Sequence, residues 1–244
     1  MFFLLPFTPV ITYVAIYVGA AVLPAVFLMR YIYNQDKIEK EPGYLLRKLF
    51  TGGIWSALAS IVLETFGTMV LNMGIPDPDS NLYKIVLAFL VVAAVEEGTK
   101  FFFLRRRSWN DPNFDFCFDG IVYAVFVSLG FAAFENISYV ASYGLGVALP
   151  RALLSIPGHM GFAVVMGVFY GQARQMANRG RNGAAAVHAR IGYLFAVFLH
   201  GFYDACAMIE SETSTIMFIV FVILMYIVIF RLIRRKSRED EPTY

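Results

Sequence analysis

IVLAFLVVAAVEEGTKFFFL, residues 85–104, is the stretch on which the fold turns. It is as long and almost as apolar as a bilayer-crossing helix, which needs about 20 residues. Yet Glu96, Glu97 and Lys100 lie inside it. A charge at the centre of a membrane helix costs roughly 2.5–3.5 kcal/mol on insertion scales. Three such residues packed into one turn and a half are expected to be retained for use.

The rest of the chain has the composition of a membrane protein. Of 244 residues 59% are hydrophobic and only 16% are charged, whereas soluble domains carry about 25% charged residues. Mean hydropathy is +0.63. The net charge of +2 implies no nucleic-acid partner, because the basic residues cluster between apolar runs. Cys117 and Cys206 stand far apart with no CxxC, so they form no metal or redox signature. The apolar stretch Phe2–Met29 lacks a basic leader and is longer than a signal-peptide core, so it reads as a first span rather than a cleaved signal.

Seven spans are expected, at 8–29, 50–71, 83–104, 119–140, 149–171, 189–209 and 214–233. The loops support the count. Those at 30–48, 105–115 and 172–190 and the tail are rich in Arg and Lys, while 72–82, 141–148 and 210–213 contain neither. Strict alternation is what the positive-inside rule requires of seven spans with the N-terminus outside and the C-terminus cytosolic. The fold class is therefore all-α: a polytopic membrane helical bundle, with one integral-membrane domain over 1–234 and a short charged cytosolic tail over 235–244.

Few polar residues fall inside the spans: Glu64, Glu96, Glu97, Lys100, Glu135, Asn136, His159, His200 and Asp204. Two of the chain's three histidines are among them. Glu96 and Lys100 are i,i+4 and can pair on one helix face. Glu97 lies about 100° further round, which would leave it free to face a cavity and makes it the preferred base. His200 and Asp204 are also i,i+4, so the carboxylate can fix the imidazole tautomer. A carboxylate beside a carboxylic acid is what general acid–base hydrolysis requires. Asn136 reads as a supporting contact between helices, and Arg151 as a side chain reaching out to the membrane surface. Glu135 poses a difficulty. At 1.5 Å per residue it lies roughly 24 Å along its helix, against roughly 12–14 Å for Glu96 and Glu97 on theirs. A tilt, a break near Gly130 or a shifted helix start would be needed to bring it to the others.

These residues form four motifs in order: Glu96-Glu97-x-x-Lys100, Phe131-x-x-x-Glu135, Pro157-Gly158-His159 and His200-x-x-x-Asp204. With Glu41-Pro42, Asp119-Gly120-Ile121-Val122-Tyr123 and Arg151-Ala152-Leu153-Leu154, the chain resembles the PrsW intramembrane proteases, relatives of the CAAX-processing Rce1-type glutamate proteases. The resemblance implies an endopeptidase of the bacterial plasma membrane that cuts a single-span membrane protein, and in bacilli the first-site cleavage of an anti-sigma factor. It assigns Glu96 or Glu97 as base on water, with Glu135, His159, His200 and Asp204 completing the catalytic set and Lys100 supporting it, while Asn136 stands outside the motifs as a supporting contact. No cofactor is expected on this reading.

Two alternatives come from the residues. His159, His200 and Glu97 could instead hold zinc and activate water on the metal. Buried Glu, Lys, His and Asp also describe a proton-coupled transporter, or a scaffold without catalysis. No HExxH zinc motif is present, nor are the inverted repeats common among transporters detectable.

Overall fold

The computed structural model describes residues 7–244, with side chains described from residue 11 onward. Residues 2–6 of the apolar N-terminal stretch lie outside the described residues. The described residues form seven helical rods: α1 (Phe7–Gln35), α2 (Gly43–Gly74), a composite rod of α3 (Asn81–Val86), a π-helical segment (Leu87–Ala93) and α4 (Ala94–Ser108), α5 (Asp119–Tyr143), a second composite rod of α6 (Ala148–Leu153) and α7 (Ser155–Asn178), then α8 (Asn182–Met208) and α9 (Glu212–Arg238). No strand occurs among them; Phe116 and Pro242 form a lone bridge.

The chain is a helical polytopic bundle, as its sequence implies. Six rods are long and apolar enough to cross a membrane. The seventh is the composite rod, set apart by the three charged residues Glu96, Glu97 and Lys100 within its apolar length. Several helices outrun the expected spans at their basic ends: α2 begins at Gly43, α8 at Asn182, and α9 continues to Arg238. Hydropathy ends where charge begins, but backbone hydrogen bonding carries on beyond the hydrocarbon.

Helix α5 is the central column. From Asp119 to Ala133 every residue is buried, as expected of a helix that is apolar all round. Helices α1, α2 and α7 pack directly on it, and α8 packs on α7 and on the π segment. Glycines set the closest approaches. A Cβ on Gly53 of α2 would lie 1.9 Å from the Val127 carbonyl oxygen, and one on Gly130 of α5 would lie 2.2 Å from the Phe50 carbonyl oxygen. On the other side Gly120 fits against Gly167 and Gly171, the GxxxG pair of α7. Backbone-to-backbone contact of this kind is how small residues join membrane helices where no hydrophobic drive operates.

Both composite rods are interrupted next to functional positions. The π segment ends three residues before Glu96, and such bulges alter which face the following helix presents. Its Phe89 lies over Gly201, where a Cβ would be 2.5 Å from the ring. In the second rod Pro157 lacks the N–H that would bond the Leu153 carbonyl. The Tyr226 hydroxyl donates to that carbonyl instead, at 2.5 Å, so α9 satisfies the group freed at the Leu154 break between α6 and α7. At the basic end the chain terminus folds back: the Cys117 amide donates to the Glu241 carbonyl and the Thr243 amide to the Asp115 carbonyl.

Gly53→Ala places a methyl group inside the van der Waals radius of a backbone oxygen. It is expected to destabilise the bundle by about 2 kcal/mol or more. Gly74→Ala, with nothing within 4 Å of the new Cβ, is expected to stay within about 0.5 kcal/mol of wild type. Thermal unfolding in detergent compares the two.

Candidate active site

The site is built around one ammonium group. Lys100 Nζ donates to Glu96 Oε2 at 3.0 Å and to Glu97 Oε1 at 2.9 Å, and it lies 3.2 Å from His159 Nδ1. It also sits 3.8 Å from the centre of the Phe131 ring. Lys100 is 2% exposed, Glu96 5% and Glu97 0%. The i,i+3 and i,i+4 spacings on α4 allow one lysine to reach both glutamates. An ammonium only donates, so His159 Nδ1 must be the bare ring nitrogen and Nε2 must carry the proton. The helix is held in register by Ser60 and Thr99, whose hydroxyls lie 2.7 Å apart across α2 and α4. At the junction with the π segment the Tyr193 hydroxyl donates to the Ala94 carbonyl at 3.0 Å.

Helix α8 supplies the second imidazole. His200 Nδ1 meets Glu97 Oε1 at 2.9 Å, and Nε2 lies 3.3 Å from Asp204 Oδ2 and 3.9 Å from Glu96 Oε2. The i,i+4 pairing of His200 with Asp204 is therefore present. Phe162 stacks on the His200 ring with centroids 4.8 Å apart, which limits rotation of the imidazole. The two histidine rings stand edge to face at 5.2 Å.

Glu135 joins the cluster after all. His159 Nε2 lies 3.0 Å from Glu135 Oε2. Helix α5 runs through Gly130 without a break, so the separation by depth is closed in another way. The Ser128 hydroxyl donates to the His159 carbonyl at 2.9 Å, which sets these two backbones level. From there Glu135 is seven residues on, about 10 Å. Side chains tilt toward the N-terminus of their own helix. Because α5 and α7 run in opposite directions, the Glu135 and His159 side chains lean toward each other and span the gap.

Arg151 corrects a sequence-based expectation. It does not reach out to the membrane surface but turns inward. Its Nη2 donates to Glu135 Oε2 at 2.6 Å and its Nε to Asn136 Oδ1 at 2.8 Å, with the guanidinium 3.7 Å from the Tyr139 ring centre. Asn136 in turn donates to the Ala21 carbonyl at 2.8 Å, tying the arginine to α1. An arginine near a helix end can satisfy itself in either direction, and here a partly buried carboxylate outcompetes the interface.

A second correction concerns the glutamate pair. Lys100 does not single out Glu96 and leave Glu97 free. It binds both, and Glu97 is the more enclosed, with His200 and Lys100 on one oxygen and no partner for the other. Glu96 is the one that lines the cleft, a space of about 560 Å³. Glu135, His159, His200, Asp204 and Arg151 line it too, and it extends to Tyr139, Pro150 and Met208 near the loops that lack basic residues. Glu64 of α2 also faces it, with a buried oxygen that has no partner. Its placement inside a span was the one sequence signal for it, since it belongs to none of the four motifs. The loop after α2 contributes nothing to the lining.

A cleft within a helical membrane bundle, walled by carboxylates and imidazoles, defines a class: polytopic membrane proteins that hold ionisable side chains at bilayer depth. Comparison with known proteins is more specific. Residues 41–232 match the family model described as PrsW family intramembrane metalloprotease. Similar relatives include Protease PrsW of Geobacillus kaustophilus, 34% identical over 77% of this chain and 77% of the relative, Protease PrsW of Oceanobacillus iheyensis, 32% identical over 88% and 94%, and Protease PrsW of Clostridioides difficile, 31% identical over 84% and 85%. No solved structure matches the chain. The chain belongs to the PrsW family and is an intramembrane peptidase.

The family description implies a metal, and the donors are of the right type. Single ligand atoms of Glu96, Glu97, His159 and His200 lie within 4.8 Å of one another, and imidazole with carboxylate suits zinc. The arrangement does not fit a resident ion, however. Lys100 Nζ is within 3.2 Å of three of those four residues and takes the place where a cation would be held.

Removing that ammonium leaves two buried carboxylates without a cation. Lys100→Met is expected to cost about 3–5 kcal/mol. Adding Glu97→Gln should recover part of the loss, because the two changes are coupled. A double-mutant cycle of unfolding in detergent measures this, and strict additivity would contradict the shared-ammonium geometry.

Proposed function

We propose that this intramembrane peptidase hydrolyses a peptide bond of a single-span membrane protein with water activated by Glu96 and without a metal. The observation that carries the reading is the division within the pair: Glu96 lines the cleft and Glu97 does not. Glu96 Oε2 is anchored by Lys100, and its other oxygen has no protein partner among the described residues, so it can accept a proton from water in the cleft. Glu97 acts one step back, holding the Nδ1 side of His200.

The geometry supports the following sequence of steps on this reading. Glu96 takes a proton from water as the oxygen attacks the scissile carbonyl. His200, with Nε2 turned toward Glu96 and Asp204, donates to the developing oxyanion, a role that imidazoles and amides fill in acyl transfer. The proton held by Glu96 passes to the leaving amine, which restores the carboxylate. Glu135 and Arg151 orient His159 on the opposite wall. A substrate helix must unwind locally to present its bond, since an intact helix shields each carbonyl.

The cleft extends toward the end of the bundle whose loops lack Arg and Lys. With the N-terminus outside, that end faces the exterior of a bacterial plasma membrane. This supports cleavage near the extracytoplasmic side, as first-site processing of an anti-sigma factor demands.

Co-reconstitution with a single-span substrate tests the assignment. Glu96→Gln is expected to lower the cleavage rate by about 10²–10⁴-fold, and purified active enzyme should hold less than stoichiometric metal and resist chelators. Undiminished cleavage by Glu96→Gln would remove it as base. One zinc per chain with loss of activity in chelator would replace this reading by the zinc alternative.

A further inference from the structure

A second cluster of acids lies at the basic end of the bundle, away from the cleft. Asp36 follows α1, Glu41 precedes α2, and Asp119 opens α5. All three are buried, at 2%, 5% and 2% exposure. One oxygen from each lies within 4.8 Å of the others. No ion pair among the described residues engages any of them. The ammonium of Lys40 is directed at the main-chain carbonyls of Tyr33 and Asp36.

Asp119 is held by the protein, accepting from the amides of Phe116 at 2.7 Å and Asp115 at 3.1 Å on Oδ2. The other two are not fully satisfied. Asp36 Oδ2 and Glu41 Oε2 are buried with no hydrogen-bond partner, although Glu41 also leans on the Tyr123 hydroxyl and the Asp119 carboxyl. Two orphaned carboxylate oxygens converging on a third carboxyl need a positive partner. The Lys40 charge relieves Asp36 in part, while Asp240, Glu39 and Asp115 add to the negative field.

We propose that Asp36, Glu41 and Asp119 form a binding site for a hard divalent cation, of the magnesium or calcium type, distinct from the catalytic cleft. Carboxylate oxygens with no nitrogen or sulfur donor suit such ions and disfavour zinc or copper. The ion would clamp the α1–α2 connection to the first turn of α5, the helix that carries Glu135. The returning C-terminal segment lies over the same turn, with Asp240 accepting from the Phe118 amide at 2.8 Å. Burial pushes Asp36 up to about 6 and Glu41 up to about 7.

The test uses the full chain in detergent, stripped with chelator, with unfolding followed by the fluorescence of Trp55 and Trp109. Millimolar magnesium or calcium is expected to raise Tm by about 5 °C. Glu41→Gln and Asp36→Asn should match or exceed the wild-type Tm in chelator, because they remove repulsion, and should lose the cation response. Glu97→Gln should keep that response, which separates this site from the cleft. Absence of any shift with either ion, or an unchanged shift in Glu41→Gln, overturns the proposal, the former pointing to a proton shared between Glu41 and Asp119 in the cation's place.

Discussion

One lysine ammonium holds the polar centre of this protein together. At the depth where Lys100 lies, an unpaired charge is costly and a badly paired one nearly as costly. Lys100 is stable there because two carboxylates, an imidazole and an aromatic face surround it. Those groups come from three helices, so the pairing of charge also fixes the mutual positions of α4, α5 and α7. Compensation of charge and placement of the helices are met by the same contacts.

That arrangement depends on a frame in which backbones touch. Gly53 against Val127, Gly130 against Phe50 and Gly120 against Gly167 and Gly171 bring α2 and α7 onto α5 without intervening side chains. Close approach leaves little freedom for sliding, because a shift of one residue would drive a Cβ into a carbonyl. The irregular segments act within that rigid frame. The π segment leads directly into the turn of α4 from which Glu97 meets His200 of α8, and Tyr226 closes the break at the start of α7. Irregular backbone costs little here because neighbouring helices satisfy what it frees.

The polar residues divide by their exposure to the cleft. Glu96, Glu135 and Asp204 meet it, while Glu97 and Lys100 stand behind, Lys100 bonded to Glu96 and Glu97 to His200. Glu64 and Arg151 extend the polar wall beyond the four motifs. Such a wall lets water occupy a space surrounded by lipid, which hydrolysis within a membrane requires. The acidic cluster at the basic end belongs to the same column, since Asp119 and Glu135 both lie on α5.

The sequence by itself determined the helical bundle, the number of rods and the residues that gather at its centre. Its signals were strong for a physical reason: lipid penalises charge wherever it falls, so each intramembrane Glu, His or Lys stands out without knowledge of its neighbours. Spacing along a single helix was legible too, as in His200 with Asp204. Only the tertiary structure decided which partner each charge takes. Lys100 serves both glutamates, Glu96 faces the cleft, Arg151 turns inward, and Glu135 reaches His159 because antiparallel helices tilt their side chains toward each other. Those outcomes depend on helix rotation and on distances between segments far apart in the chain, and periodicity within one helix does not encode them.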